Sequence, residues 1–67
     1  MATFSEQLET MIDNATLDTV LDTLVDICHG KAEHLESNWQ DRNAAKAWMR
    51  AAKRIDSARA AIHSLAL

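Results

Sequence analysis

The residues of this sequence that could do chemistry fall into two runs. In the first, Asp22, Asp26, His29, Glu33 and Glu36 are spaced by 4, 3, 4 and 3. On a helix that spacing puts all five on one face. Asp26 and His29 stand at the carboxylate-x-x-imidazole spacing that ligates metals inside di-iron bundles. Asp26, His29 and Glu33 are therefore the candidates for a metal site. The same residues, with Asp18, Thr19 and Thr23, lie opposite a leucine stripe. A polar stripe opposite an apolar one is what any surface helix shows. Bundle metals sit inward, and the inward residues here are Leu, Val and Ile. The expectation is a solvated or partner-binding acidic face, with no bound metal and no cofactor.

The second run is basic. Arg42, Lys46, Arg50 and Lys53 are spaced by 4, 4 and 3 and form one ridge, flanked by Arg54 and Arg59. Such a ridge could follow a phosphate backbone. Trp39 and Met49 lie close in sequence, and an aromatic beside basic residues could stack on a base. The chain carries a net charge of −3, whereas nucleic-acid-binding domains are usually basic. Nucleic acid is thus the second reading. A solvated face, or one that meets acidic residues, is the first.

Cys28, His29 and His34 raise zinc or a thiol nucleophile. Structural zinc takes four ligands in paired spacings, and this chain has one cysteine and three histidines. Cys28 and His29 are neighbours on a helix and point about 100° apart, so they do not face each other. Cys28 falls in the apolar stripe, where a small thiol packs as a hydrophobe. His63 falls in the last turn of the third helix, where an imidazolium suits the helix dipole. No Gly-rich phosphate loop, nucleophile elbow or His-Glu-x-x-His motif occurs. The chain is expected not to be an enzyme.

These residues must be held by something. A chain of 67 residues is one domain at most, and a lone core of that size is marginal. Small domains add disulfides, a metal or a partner. A single cysteine excludes an internal disulfide, which leaves association. The composition, 48% apolar and 25% charged, is that of a chain that folds. Proline is absent and glycine occurs once, so the tight turns of a β fold lack their usual residues. No run nears the ~20 apolar residues of a membrane-spanning helix. No basic, apolar leader opens the chain. The expectation is a cytoplasmic protein without membrane contact.

Charge is divided along the chain. Residues 1–41 hold nine acids and one base, and residues 42–67 hold six bases and one acid. The two halves should attract each other.

Three helices are expected, over about 5–13, 16–37 and 41–65. Thr3 and Glu6 have capping-box spacing. Phe4, Leu8, Met11 and Ile12 form one face of the first helix, and Asp13-Asn14 interrupts it. Asn14 or Thr16 caps the second helix. Its stripe is Leu17, Val20, Leu21, Leu24, Ile27, Cys28, Lys31 and Leu35, with Val25 off it. The stripe resumes in register after Gly30, which favours one continuous helix. Residues 37–41 make the turn, with Asn38 or Asp41 as the next cap. Trp39 in that turn packs over the bundle end or serves as a binding anchor. Trp48, Ala51, Ile55, Ala58, Ile62 and Leu65 repeat as a heptad seam, which Ala44 extends backwards.

The fold class read from this is all-α: an antiparallel helical hairpin with a short N-terminal helix, dimerising into a four-helix bundle. Leu17, Leu21, Leu24, Trp48, Ile55, Ile62 and Leu65 form its core and dimer seam. The expected function is that of a non-enzymatic homodimeric adaptor or regulator. It docks another protein through Asp18, Asp22, Asp26 and Glu33 or through the basic ridge, with Trp39 as a further contact.

Overall fold

Side-chain caps set where the helices start. In the computed structural model, which describes residues 1–37 and 41–65, Thr3 Oγ1 accepts from the Glu6 amide at 3.1 Å. Thr16 Oγ1 accepts from the Thr19 amide at 3.0 Å, and Asp41 Oδ1 from the Ala44 amide at 3.0 Å. Each satisfies an amide that the first helical turn leaves without a partner. The helices that follow are α1 (Phe4–Asn14), α2 (Leu17–Ser37) and α3 (Arg42–His63). No strand occurs among the described residues.

Asn14 is helical, so the chain breaks at Ala15-Thr16 rather than at Asp13-Asn14. The Thr16 hydroxyl is what makes that break productive. α2 runs unbroken through Gly30, where an added Cβ would meet nothing within 4 Å. α3 ends at His63, and Leu65 lies beyond it with its amide donating to the Ile62 carbonyl at 2.8 Å. The expected turn residues Asn38, Trp39 and Gln40 lie outside the described residues.

α2 and α3 pack along their length as an antiparallel hairpin, and α1 touches α2 without reaching α3. α1 therefore does not bridge the two helices of the hairpin. The molecule is a slab, 38 × 34 × 13 Å across its Cα atoms.

The seam of the hairpin is made of small side chains. Among the described residues Val25, Cys28, Ala32, Ala45 and Ala52 are buried. Ala51 and Ile55 pack against the cluster formed by Val25, Cys28 and Ala52. This corrects the reading of the apolar stripe, which left Val25 off the seam and omitted Ala32, Ala45 and Ala52. Val25 is only 7% exposed, whereas Leu24 is 39% and Ile27 49% exposed; Lys31 is exposed too. The physical reason is closeness of approach. Ala45 and Ala52 stand seven residues apart on one line of α3, and small side chains on the contact line let a facing helix come close. The larger Leu and Ile are thereby turned to one side of the contact line.

Leu17, Leu21, Leu35, Ala44, Ile55 and Ile62 are half-buried at that line's edge. Trp48 is 37% and Leu65 64% exposed. Ala58 is exposed.

Candidate partner-binding faces

Helical steps of about 100° sort the side chains on either side of the seam. On α2, Leu17, Leu24, Ile27 and Leu35 fall to one side of the Val25–Cys28–Ala32 line. Asp22, Asp26, His29 and Glu33 fall to the other. On α3, Ala44, Trp48, Ala51, Ile55 and Ile62 fall to one side of the Ala45–Ala52 line. Lys46, Met49, Lys53 and Asp56 fall to the other. In an antiparallel pair, flanks of the same rotational sense share a face. One observation fixes the assignment: His29, Met49, Arg50, Lys53 and Asp56 line one hollow with Val25 and Ala52 at its floor. The two polar flanks therefore form one broad face of the slab, and the two apolar flanks form the opposite one.

The polar face is striped. α2 contributes an acidic row, Asp22, Asp26 and Glu33, and α3 a basic row, Lys46, Arg50 and Lys53, all exposed. A second hollow, lined by Glu36, Arg42, Ala45, Lys46, Met49 and Arg50, adjoins the first through Met49 and Arg50. Met49 is 51% exposed and is the apolar residue common to both hollows.

Ion pairs among the described residues gather at the open end of this face. Arg59 Nη1 stands 3.3 Å from Asp18 Oδ1, its Nη2 3.1 Å from Asp56 Oδ1 and its Nε 3.9 Å from Asp22 Oδ1. The guanidinium is held above its ordinary pKa, first by the hydrogen bond to Asp56, then by the Asp56 and Asp18 charges. It stays charged throughout the physiological range, so it contributes no pH dependence there. His63 Nδ1 also lies 3.5 Å from Asp18 Oδ1. Asp18 thus serves inside the chain, half-buried and tied to α3, although its sequence position suggested a partner-binding residue. Arg59 read from sequence as a flank of the basic ridge is the tie between the acidic and basic halves. The signal that could have found it is the charge division along the chain.

Asp26, His29 and Glu33 are exposed along the polar flank of α2. Among the described residues no group of three or more His, Cys, Asp or Glu is gathered so as to hold a metal ion. Cys28 is a free, buried thiol, packed against Val25 and Ala52. Its neighbour His29 points away into the hollow on the polar face. No described helix is long and apolar enough to cross a membrane.

The apolar face carries Leu24, Ile27 and Trp48, all more than a third exposed, with one exposed cation, Lys31, on the same flank of α2. Scattered exposed apolar residues are ordinary, and a set that shares one face is a candidate interaction surface. α1 adds Phe4 at 76% and Met11 at 55% exposure.

No protein-family model, curated protein or solved structure matches the chain.

Proposed function

We propose that the protein is a non-enzymatic adaptor or regulator that pairs with a second copy through the apolar face of the α2–α3 hairpin. The pair is a four-helix bundle that presents charged outer faces to another protein. The observation that carries this reading is the uncovered apolar face: Leu24, Ile27 and Trp48 stay exposed while the seam beneath them is filled by small residues. α3 spans 22 residues, about 33 Å at 1.5 Å per residue, and two helices side by side are about 20 Å wide. Two such faces together offer roughly 1,300 Å², inside the range of stable interfaces. Leu17, Leu21, Leu24, Trp48, Ile55 and Ile62 supply the apolar contacts, and Leu65 extends them past the end of α3.

The test is solution mass by light scattering across a dilution series at about 1 M salt, where charge contacts are screened. The natural chain is expected to be a dimer. Leu24→Lys with Ile27→Lys is expected to give a monomer or to raise the dissociation constant at least roughly a hundredfold, given about 1.5–3 kcal/mol per buried apolar side chain. A natural chain that is monomeric at every concentration overturns the dimer. A variant that remains a dimer places the interface elsewhere.

The basic ridge keeps a second reading alive in one form only. Lys46, Arg50 and Lys53 are exposed along one flank of α3, as a phosphate-tracking ridge requires. Binding to DNA or RNA at ~50 mM salt that weakens steeply as salt rises would favour it.

A further inference from the structure

The polar face of the slab is complementary to itself. Its acidic row on α2 and its basic row on α3 run side by side, and Asp26, Glu33, Lys46, Arg50 and Lys53 form no ion pair within the chain to a described residue. We propose that this face binds the same face of a second copy, related by a twofold axis parallel to the helices.

That rotation exchanges left and right and keeps height along the helices unchanged. α2 of one copy therefore lies over α3 of the other, acidic row on basic row. The alternative twofold, across the helices, would set acid on acid and base on base.

Whether individual charges meet depends on their levels, and the structure supplies these. Arg59 reaches both Asp18 and Asp22, so it is level with position 20 of α2. Six residues towards the connection on each helix bring Asp26 and Lys53 to one level. Thirteen residues bring Glu33 and Lys46 to one level. The axis makes each pair twice, which gives four cross-copy ion pairs. Met49, 51% exposed and shared by both hollows, lies between the rows and meets its counterpart near the axis.

Exposed pairs of this kind are individually weak and screened by salt. The contact is thus separable from an apolar seam on the opposite face. With both faces occupied, dimers stack face to face into larger assemblies whose size falls as salt rises.

The experiment is light scattering of the full chain after nuclease treatment, at about 0.01 M and about 1 M salt. Mass at high salt reports on the apolar seam. The gain at low salt reports on the striped face. Asp26→Lys with Glu33→Lys makes the α2 row mainly basic, like the α3 row, and Lys46→Glu with Lys53→Glu makes the α3 row mainly acidic, like the α2 row. Each variant alone is expected to lose the low-salt gain and keep the high-salt mass, and the mixture is expected to recover the gain. The chain carrying all four changes keeps the natural net charge and exchanges the rows, so it is expected to assemble like the natural chain. No gain in the natural chain at low salt overturns the proposal. So does a gain that survives in either variant alone, or one that nuclease abolishes, which would assign the ridge to nucleic acid.

Discussion

The two broad faces of the hairpin come from the same two helices and carry opposite kinds of surface. One presents Leu24, Ile27 and Trp48, and the other an acidic row beside a basic row. Between them runs a seam whose largest buried member is Val25. The difference lies in where this chain places its apolar volume. A helical hairpin that filled its seam with Leu and Ile would stabilise itself. This one fills the seam with Val25, Cys28 and alanines and spreads the larger side chains across a face. Under the proposed pairing its stability depends on the second copy that covers that face, which suits a chain too short to bury a sizeable core.

The largest effect should come from breaking the apolar side. Ile55 packs on the buried cluster and Ile62 is half-buried on the same flank. Ile55→Asp with Ile62→Asp removes apolar area and forces charge into it, at a cost of at least about 2 kcal/mol per site. The expected result is loss of helical circular dichroism at ambient temperature together with loss of the dimer. Lys46→Glu with Lys53→Glu on the other face should change stability by no more than about 0.5 kcal/mol per site. Equal losses from the two pairs would erase the distinction between the faces.

Ala52→Leu acts on the boundary between them. Ala52 is 0% exposed, so three more carbons must part α2 from α3. Overpacking of this kind costs about 1–3 kcal/mol. Chemical denaturation should show a lower midpoint, and Ala58→Leu, at an exposed position, should not.

Arg59→Met should matter less. It removes the tie to Asp18, Asp22 and Asp56 and keeps most of the aliphatic stem. The melting temperature should fall at low salt and match the natural chain near 1 M salt, because the tie is exposed enough to be screened. A loss that persists in high salt would mean that the stem's packing mattered and the charge did not.

The elements were legible in the sequence because each leaves a local mark. Thr3, Thr16 and Asp41 announce the helix starts, and the steps of three and four announce the amphipathic helices. The hairpin followed from two long helices and a short connection. The seam was harder to read. Hydrophobicity ranks Leu24 and Ile27 above Ala32, Ala45 and Ala52, yet helix approach is governed by size, and the small residues won the centre. Periodicity alone gives a stripe about half a turn wide and cannot say which edge faces the partner helix. The charge division predicted that the halves attract, but not that Arg59 and Asp18 carry the contact. That depends on the register of two helices, which no local pattern records.

Gly30 offers the smallest and cleanest test of the polar side. It lies within a continuous α2 on the side turned away from α3, next to Asp26 by helical steps, with open space around it. Glycine inside a helix costs about 0.5–1 kcal/mol relative to alanine, through backbone freedom lost on folding. Gly30→Ala should therefore stabilise the protein by about that amount. For a domain of this size the gain corresponds to a rise in melting temperature of about 2–8 °C. Because the methyl points away from the seam and from the apolar face, the mass at high salt should not change. A fall in melting temperature would mean that the backbone at Gly30 departs from the helix, or that something already occupies that space. A change in mass would mean that the apolar interface wraps further round α2 than the slab geometry allows.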